Sequence, residues 1–343
     1  RHRRFLMSFP PRCETIFSVE VPPPGKSPDR SGMPGSKFYK GNRMIKLLRM
    51  IFAAGIFAVA FHWTNESLAQ KKAAPKTYPP VIEGARVETY RKVGDTDLKV
   101  WIFEPKNKGT KPLPAIVFFF GGGWTSGSPA QFVPQCQHLA ERGMVAMVAD
   151  YRVSSRNMVK PVECVGDAKA CVRWIRANAG KLGIDPEKIA AGGGSAGGHL
   201  AAATGTLPGL EAAGQDLKVS SIPNALVLFN PALVLASIPD VNLEGFISKS
   251  NPERFGCKPE EISPAHHVKK GAPPTIIFHG KADSTVPYAS AEKFADLMKK
   301  AGNRCDLMGY EGEGHGFFNT KKMQETLAQA DAFLVSLGYL PPK

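Results

Sequence analysis

A serine between glycines is the first residue whose setting suggests chemistry. Residues 193–197 are Gly-Gly-Ser-Ala-Gly, and they follow an apolar run that begins at Lys188. This G-x-S-x-G pattern is typical of a sharp turn from a strand into a helix, which lifts a nucleophilic serine clear of the sheet. Small neighbours permit the strained backbone of such a turn. The alternative is a glycine-rich turn with a surface serine, so the rest of the chain must distinguish the two.

Three other loops follow predicted strands and carry residues that would complete such a site. Gly121 and Gly122 open a glycine run after an apolar strand, and their N–H groups, with that of Ala196, would form an oxyanion hole. Asp283 would orient a histidine, although taken alone it resembles the N-cap of a helix. His315 lies between glycines, and imidazole is the side chain suited to general-base work near neutral pH.

The order of these residues along the chain is itself informative. Ser195, Asp283 and His315 occur in the order nucleophile, acid, base that α/β hydrolases use. Each follows a predicted strand, and the carboxyl ends of parallel strands meet at one edge of a sheet. The sequence therefore predicts a Ser-His-Asp catalytic triad.

The elements that must position this triad follow from the hydrophobic pattern. Residues 86–90 and 98–103 alternate polar and apolar side chains, which predicts an antiparallel hairpin with one solvated face. Later strands are continuous apolar runs, as in a parallel sheet buried on both faces; these are residues 113–120, 144–149, 188–192, 225–229, 274–278 and 305–310. Helical segments separate them. We therefore predict an α/β fold, a doubly wound and mostly parallel sheet with an antiparallel N-terminal hairpin.

The first 69 residues differ in composition from the rest. Residues 1–43 are rich in Pro, Gly and Arg without periodicity, and we interpret them as a disordered extension or a start assigned too early. Residues 44–69 combine a basic opening, an apolar run over 50–63 and small residues before Gln70, the three parts of a secretory signal peptide. The run is shorter than the roughly 20 residues that span a bilayer. We expect cleavage after Ala69, no stable membrane anchor, and a secreted or periplasmic protein.

The remaining chain is expected to form one folded unit. Residues 70–84 are polar and contain prolines, as in a linker, and residues 85–343 carry the alternating strands and helices. The one long irregular stretch, residues 235–270, lies between two late strands and is a candidate lid.

Charge and cysteine content exclude some classes of partner and leave others open. The net charge is +14, but residues 1–69 hold 11 Lys and Arg against 4 Asp and Glu, so half of the surplus lies in the leader. We therefore expect no nucleic-acid partner. Five cysteines follow the leader, and their pairing stays open; they are Cys136, Cys164, Cys171, Cys257 and Cys305. No metal-type spacing occurs, and His199 and His279 are interpreted as packing or hydrogen-bonding residues.

Several motifs together resemble a known family. They are GGGW at 121–124, DYR at 150–152, GGSAGGHLAA at 193–202, HGKADSTVP at 279–287 and GHGF at 314–317. In these the chain resembles the α/β-hydrolase esterase/lipase family, in its hormone-sensitive-lipase-like branch, and the related acetyl and feruloyl esterases of polysaccharides. The resemblance implies acyl transfer to water without a cofactor. Ser195 would attack, His315 would relay the proton, and Asp283 would orient the histidine.

The chain also departs from that family in ways that bear on its substrate. Phe120 stands where the family usually has a histidine before the glycines, so packing must brace the loop. The large N-terminal cap of many members is missing, which favours short-chain or carbohydrate-linked acyl esters. A prolyl-oligopeptidase-type peptidase shares the triad order but usually carries a gating domain ahead of the hydrolase. A non-catalytic binding protein with the same fold is the third alternative.

Overall fold

An eight-stranded sheet carries the loops of interest. The computed structural model describes residues 78–342. Its strands are β1 (Arg86–Val93), β2 (Thr96–Phe103), β3 (Leu113–Phe119), β4 (Val145–Ala149), β5 (Ile184–Gly194), β6 (Ala225–Phe229), β7 (Thr275–Gly280) and β8 (Cys305–Tyr310). They lie in the order β1-β2-β4-β3-β5-β6-β7-β8. Strand β2 pairs antiparallel with β1 and β4, and every other neighbouring pair is parallel. The predicted parallel sheet with an antiparallel N-terminal hairpin is confirmed.

Helices cover both faces of this sheet. They are α1 (Val133–Glu141), α2 (Ser154–Asn157), α3 (Pro161–Ala177), α4 (Ala179–Leu182), α5 (Ala196–Thr206), α6 (Glu244–Ile247), α7 (Pro252–Phe255), α8 (Tyr288–Lys300) and α9 (Met323–Ser336). Helix α8 illustrates why they form, because its buried Ala291, Phe294, Ala295 and Met298 recur at helical spacing and cover the sheet with one face. Helix α3 begins with a proline, and the Glu163 carboxylate accepts the N–H of Lys160 just before it.

The core has two layers because neighbouring strand residues point to opposite faces. In β3, Val117 and Phe119 belong to one hydrophobic cluster, whereas Ile116 and Phe118 belong to the other. All four side chains are almost fully buried. This two-sided burial is the physical reason for the continuous apolar runs in the sequence.

Details of three predicted elements differ from the structure. The helical segment expected before the third buried strand is divided into α3 and α4 at Asn178, whose side-chain amide donates to Trp174 O. The strand predicted at residues 188–192 is longer in the structure, where β5 extends over Ile184–Gly194. The candidate lid holds α6, α7 and two 3₁₀ turns, Pro259–Ile262 and Pro264–His267.

Some sequence predictions fall outside the described residues. These are the extension at residues 1–43, the signal peptide at 44–69 and most of the linker. Among residues 78–342, no helix is both long and apolar enough to cross a membrane. The five cysteines in this part are all free thiols, and four of them are buried.

Candidate active site

Ser195 occupies the turn between β5 and α5 in a strained conformation. Its φ is 55° and its ψ is −120°, and its N–H donates to Phe229 O on the neighbouring strand at 2.9 Å. The flanking glycines explain how the turn fits. A Cβ on Gly193 would lie 2.5 Å from Gly197 O, and a Cβ on Gly197 would overlap the carbonyl of Phe119. The sequence pattern thus places the serine where the helix rests directly on the backbone of the sheet.

Asp283 and His315, which follow β7 and β8, are in contact at the same edge of the sheet. His315 Nδ1 donates to Asp283 Oδ2 at 2.7 Å. The other carboxylate oxygen accepts the N–H groups of Thr285 and Val286 at 2.8 and 3.0 Å. Burial alone would raise the pKa of the Asp283 carboxyl, but the hydrogen bonds with His279, His315 and Val286 lower it below its usual range. Asp283 is therefore ionised at neutral pH and able to orient the imidazole.

Two further polar residues surround this pair. The side chain of His279 is fully buried, with Nε2 3.3 Å from Asp283 Oδ2 and 2.9 Å from Val286 O. Nδ2 of the buried Asn230 lies 3.2 Å from His315 Nδ1. Asn230 was not predicted from the sequence. Its place directly after β6, at the same sheet edge as Ser195, is the signal that would have found it.

The glycine loop, residues 120–124, differs from the predicted oxyanion arrangement at one position. The N–H of Gly121 donates to Gln131 Oε1 at 2.5 Å, so it is not free to bind an oxyanion. Gly122 has φ 127°, and a Cβ there would collide with Ser126 O. Gly123, whose N–H has no acceptor among residues 78–342, lines the cavity above the serine together with Ala196. Gln131 lies ten residues away in a 3₁₀ turn, and sequence reasoning missed it.

Packing and hydrogen bonds brace this loop where the resembling family has a histidine. The Phe120 ring stacks on Tyr151, with centroids 4.1 Å apart, and the Tyr151 hydroxyl donates to Phe120 O at 2.7 Å. At the other end of the loop, Trp124 Nε1 donates to His199 Nδ1 at 3.2 Å. The prediction that packing replaces the histidine therefore needs one addition, because polar contacts of buried side chains share the task.

A cavity of about 550 Å³ opens above Ser195. Its walls combine the glycine loop, the start of α5, the loop after β7 and the predicted lid. The lid contributes apolar side chains, among them Leu243 and Phe246, and the cationic side chains of Lys249 and Arg254. A cavity of this size and mixed lining is typical of a site for a small molecule. Among residues 78–342, no cluster of three His, Cys, Asp or Glu side chains could hold a metal ion.

The fold and this sheet edge define an α/β hydrolase of the serine-esterase class. The same class emerges from the sequence, since a profile of the family described as BD-FAE matches residues 100–298. The chain belongs to the BD-FAE family.

Similar proteins have esterase names. Esterase LipC of Mycobacterium tuberculosis is 31% identical over 276 residues, which cover 74% of this chain and 66% of LipC. The carboxylesterase NlhH of the same organism is 25% identical over 269 residues, covering 74% of this chain and 82% of NlhH. This chain spans about half to two thirds of the length of the first curated relatives that it matches.

The solved structures that match include esterase 2 of Thermogutta terrifontis, phosphorylated by paraoxon. It is 52% identical, the match covers 78% of this chain and 99% of that one, and the TM-score is 0.72. The butyrate-bound form of the same esterase gives 52% identity, 78% and 100% coverage, and a TM-score of 0.73.

Proposed function

We propose that this chain is an exported carboxylesterase that hydrolyses short-chain or carbohydrate-linked acyl esters through Ser195, His315 and Asp283. The observation that carries the proposal is the strained Ser195 at the floor of the cavity, with the Asp283–His315 pair held at 2.7 Å on the same sheet edge. Strain of this kind persists where the surrounding structure enforces it for a function. The phosphorylated and butyrate-bound forms of the similar Thermogutta esterase support a serine nucleophile and a small acyl group.

The reaction follows from the roles of these groups. Ser195 Oγ attacks the ester carbon while His315 Nε2 takes its proton, and Asp283 stabilises the imidazolium that forms. The N–H groups of Gly122, Gly123 and Ala196 hold the oxyanion, with Gly123 replacing the Gly121 of the sequence prediction because Gln131 already accepts the Gly121 N–H. The alcohol leaves with the proton from His315. Water then attacks the carbonyl carbon of the acyl-enzyme while His315 Nε2 takes its proton. That proton passes to Ser195 Oγ as the carboxylic acid leaves.

Hydrolysis of p-nitrophenyl acetate tests the class of reaction. We expect turnover by the wild-type protein, none above background by Ser195→Ala, and labelling of Ser195 by a fluorophosphonate. Absence of both turnover and labelling would exclude the esterase and the peptidase alternative together. The binding-protein alternative would then gain support.

A panel of esters tests the substrate class. Nitrophenyl esters of increasing acyl length are compared with acetylated xylan and a feruloyl ester, and kcat/KM is measured for each. The cavity of about 550 Å³ must hold the acyl chain and the alcohol together, so we expect kcat/KM to fall beyond about eight carbons. A maximum beyond about ten carbons would contradict the proposal of a short-chain substrate.

Export is tested separately on the full chain. We expect a bacterial host to release protein whose N-terminus is Gln70, as Edman sequencing would show. Retention of the chain in the cytoplasm with residues 44–69 attached would refute export without touching the proposed chemistry.

A further inference from the structure

A chain of hydrogen bonds runs beneath the glycine loop and is not used by the proposed reaction. Trp124 Nε1 donates to His199 Nδ1 at 3.2 Å, and His199 Nε2 donates to Ile262 O at 2.7 Å. His199 is completely buried. These two hydrogen bonds join three separate segments, namely the glycine loop, helix α5 after the nucleophile, and the lid.

The protonation state of His199 is fixed by these two partners. An indole N–H only donates and a carbonyl only accepts, so Nδ1 must be bare and Nε2 must carry the proton. Burial lowers the pKa of the imidazole to about 4, although the bond to Ile262 O opposes the shift. His199 is therefore neutral at working pH and serves both neighbours in a single tautomer.

Trp124 needs this support because of its backbone. Its φ is 60°, a left-handed conformation that residues with a Cβ rarely adopt and that costs roughly 1–2 kcal/mol. The preceding residue, Gly123, has φ 61° and lines the cavity. The indole ring stands edge-on to His199 at 5.1 Å and to Phe255 of the lid at 5.8 Å. The Arg254 guanidinium also lies 5.7 Å from the centre of the indole ring. Among residues 78–342, His199 is the one hydrogen-bond partner of the indole N–H.

We propose that His199 is a positioning residue for the oxyanion hole, acting through Trp124. By holding the indole, it maintains the left-handed turn that directs the Gly122 and Gly123 N–H groups into the cavity. This inference rests on the proposed esterase function. Because the oxyanion forms only after Ser195 attacks the ester, loss of the bond lowers kcat and leaves KM nearly unchanged.

Trp124→Phe is the principal test because it keeps an aromatic ring and removes the N–H. We expect kcat for p-nitrophenyl butyrate to fall roughly ten-fold, the loss that one neutral hydrogen bond predicts, with KM within two-fold. The Ki of a trifluoromethyl ketone, which forms an oxyanion adduct with the serine, should rise by the same factor. Trp174→Phe, in the half-buried wall of α3, is the matched control and should change neither value.

Variants at His199 separate positioning from packing. His199→Asn keeps an acceptor near the Nδ1 position but does not reach Ile262, whereas His199→Leu removes both polar atoms. We expect His199→Asn to keep most of the wild-type kcat and His199→Leu to lose it. The melting temperature of each variant serves as the check on folding.

The outcomes distinguish this inference from the function on which it depends. An inactive wild-type protein that no fluorophosphonate labels refutes the esterase itself. An active wild type with equal kcat and Ki in the two tryptophan variants overturns the positioning role. A rise in KM alone in Trp124→Phe also overturns it, because Trp124 would then be only a wall of the substrate cavity.

Discussion

Replacing Asp283 by asparagine tests the geometry of the site most directly. The oxygen that accepts the Thr285 and Val286 N–H groups at 2.8 and 3.0 Å must remain an oxygen, since an NH₂ group there would oppose two donors. Each of these bonds contributes about 1 kcal/mol, and opposing donors would add a penalty. The asparagine therefore turns its NH₂ group toward His315, 2.7 Å away. His315 Nδ1 must then accept, and the proton moves to Nε2.

This tautomer cannot take the proton of Ser195. We expect kcat to fall about 10⁴-fold, equivalent to about 5.5 kcal/mol of transition-state stabilisation, with little change in KM. The measurement is initial-rate hydrolysis of p-nitrophenyl acetate at pH 7, with melting temperature as the check on folding. Asp216→Asn is the matched control, because that exposed carboxylate also accepts a backbone N–H, from Lys218 at 3.0 Å. A folded Asp283→Asn protein that retains more than a tenth of the wild-type kcat would refute the tautomer reasoning.

Two further predictions concern stability, and urea unfolding measures both. Gly197→Ala places a methyl group on the carbonyl of Phe119 and should lower the free energy of unfolding by about 3 kcal/mol. Gly180→Ala is the control and should not lower it, because the space around Gly180 is open. Equal effects of the two substitutions would contradict the packing described. Burial raises the pKa of Asp150 to about 6 despite its hydrogen bond from Tyr78. The folded protein therefore binds this proton more tightly than the unfolded chain does, and it loses stability as pH rises from about 4 to 6. Relative to wild type, Asp150→Asn should therefore gain about 3 kcal/mol between pH 4 and pH 7, and parallel curves would show that Asp150 does not titrate in this range.

The sheet was predictable because its strands are buried on both faces. The continuous apolar run at residues 113–120 became β3, and the alternating runs at 86–90 and 98–103 became parts of the hairpin β1–β2. Residue type and order also predicted that Asp283 and His315 would lie at one sheet edge. In each case a short-range pattern combined with one rule of parallel sheets was sufficient.

Contacts between distant side chains were not predictable in the same way. Gln131 accepts the Gly121 N–H across a loop whose course no propensity determines. Asn230 approaches His315 over 85 positions of sequence, and His199 meets the carbonyl of Ile262 over 63. Such pairs depend on tertiary packing, which a single sequence does not encode as a local period.

The close seating of α5 on the sheet has a consequence for how this site can evolve. The carbonyls of Phe119 and Phe120 already occupy the space beside Gly197, and Gly193 faces the carbonyl of Gly197. Ser195 itself borders the open cavity, so a side chain as small as that of alanine can replace it at the same φ. Selection can therefore alter or discard the nucleophile in one step, while the glycines on either side stay fixed by the architecture. Descendants of this chain that abandon hydrolysis should keep both glycines long after they have lost the serine.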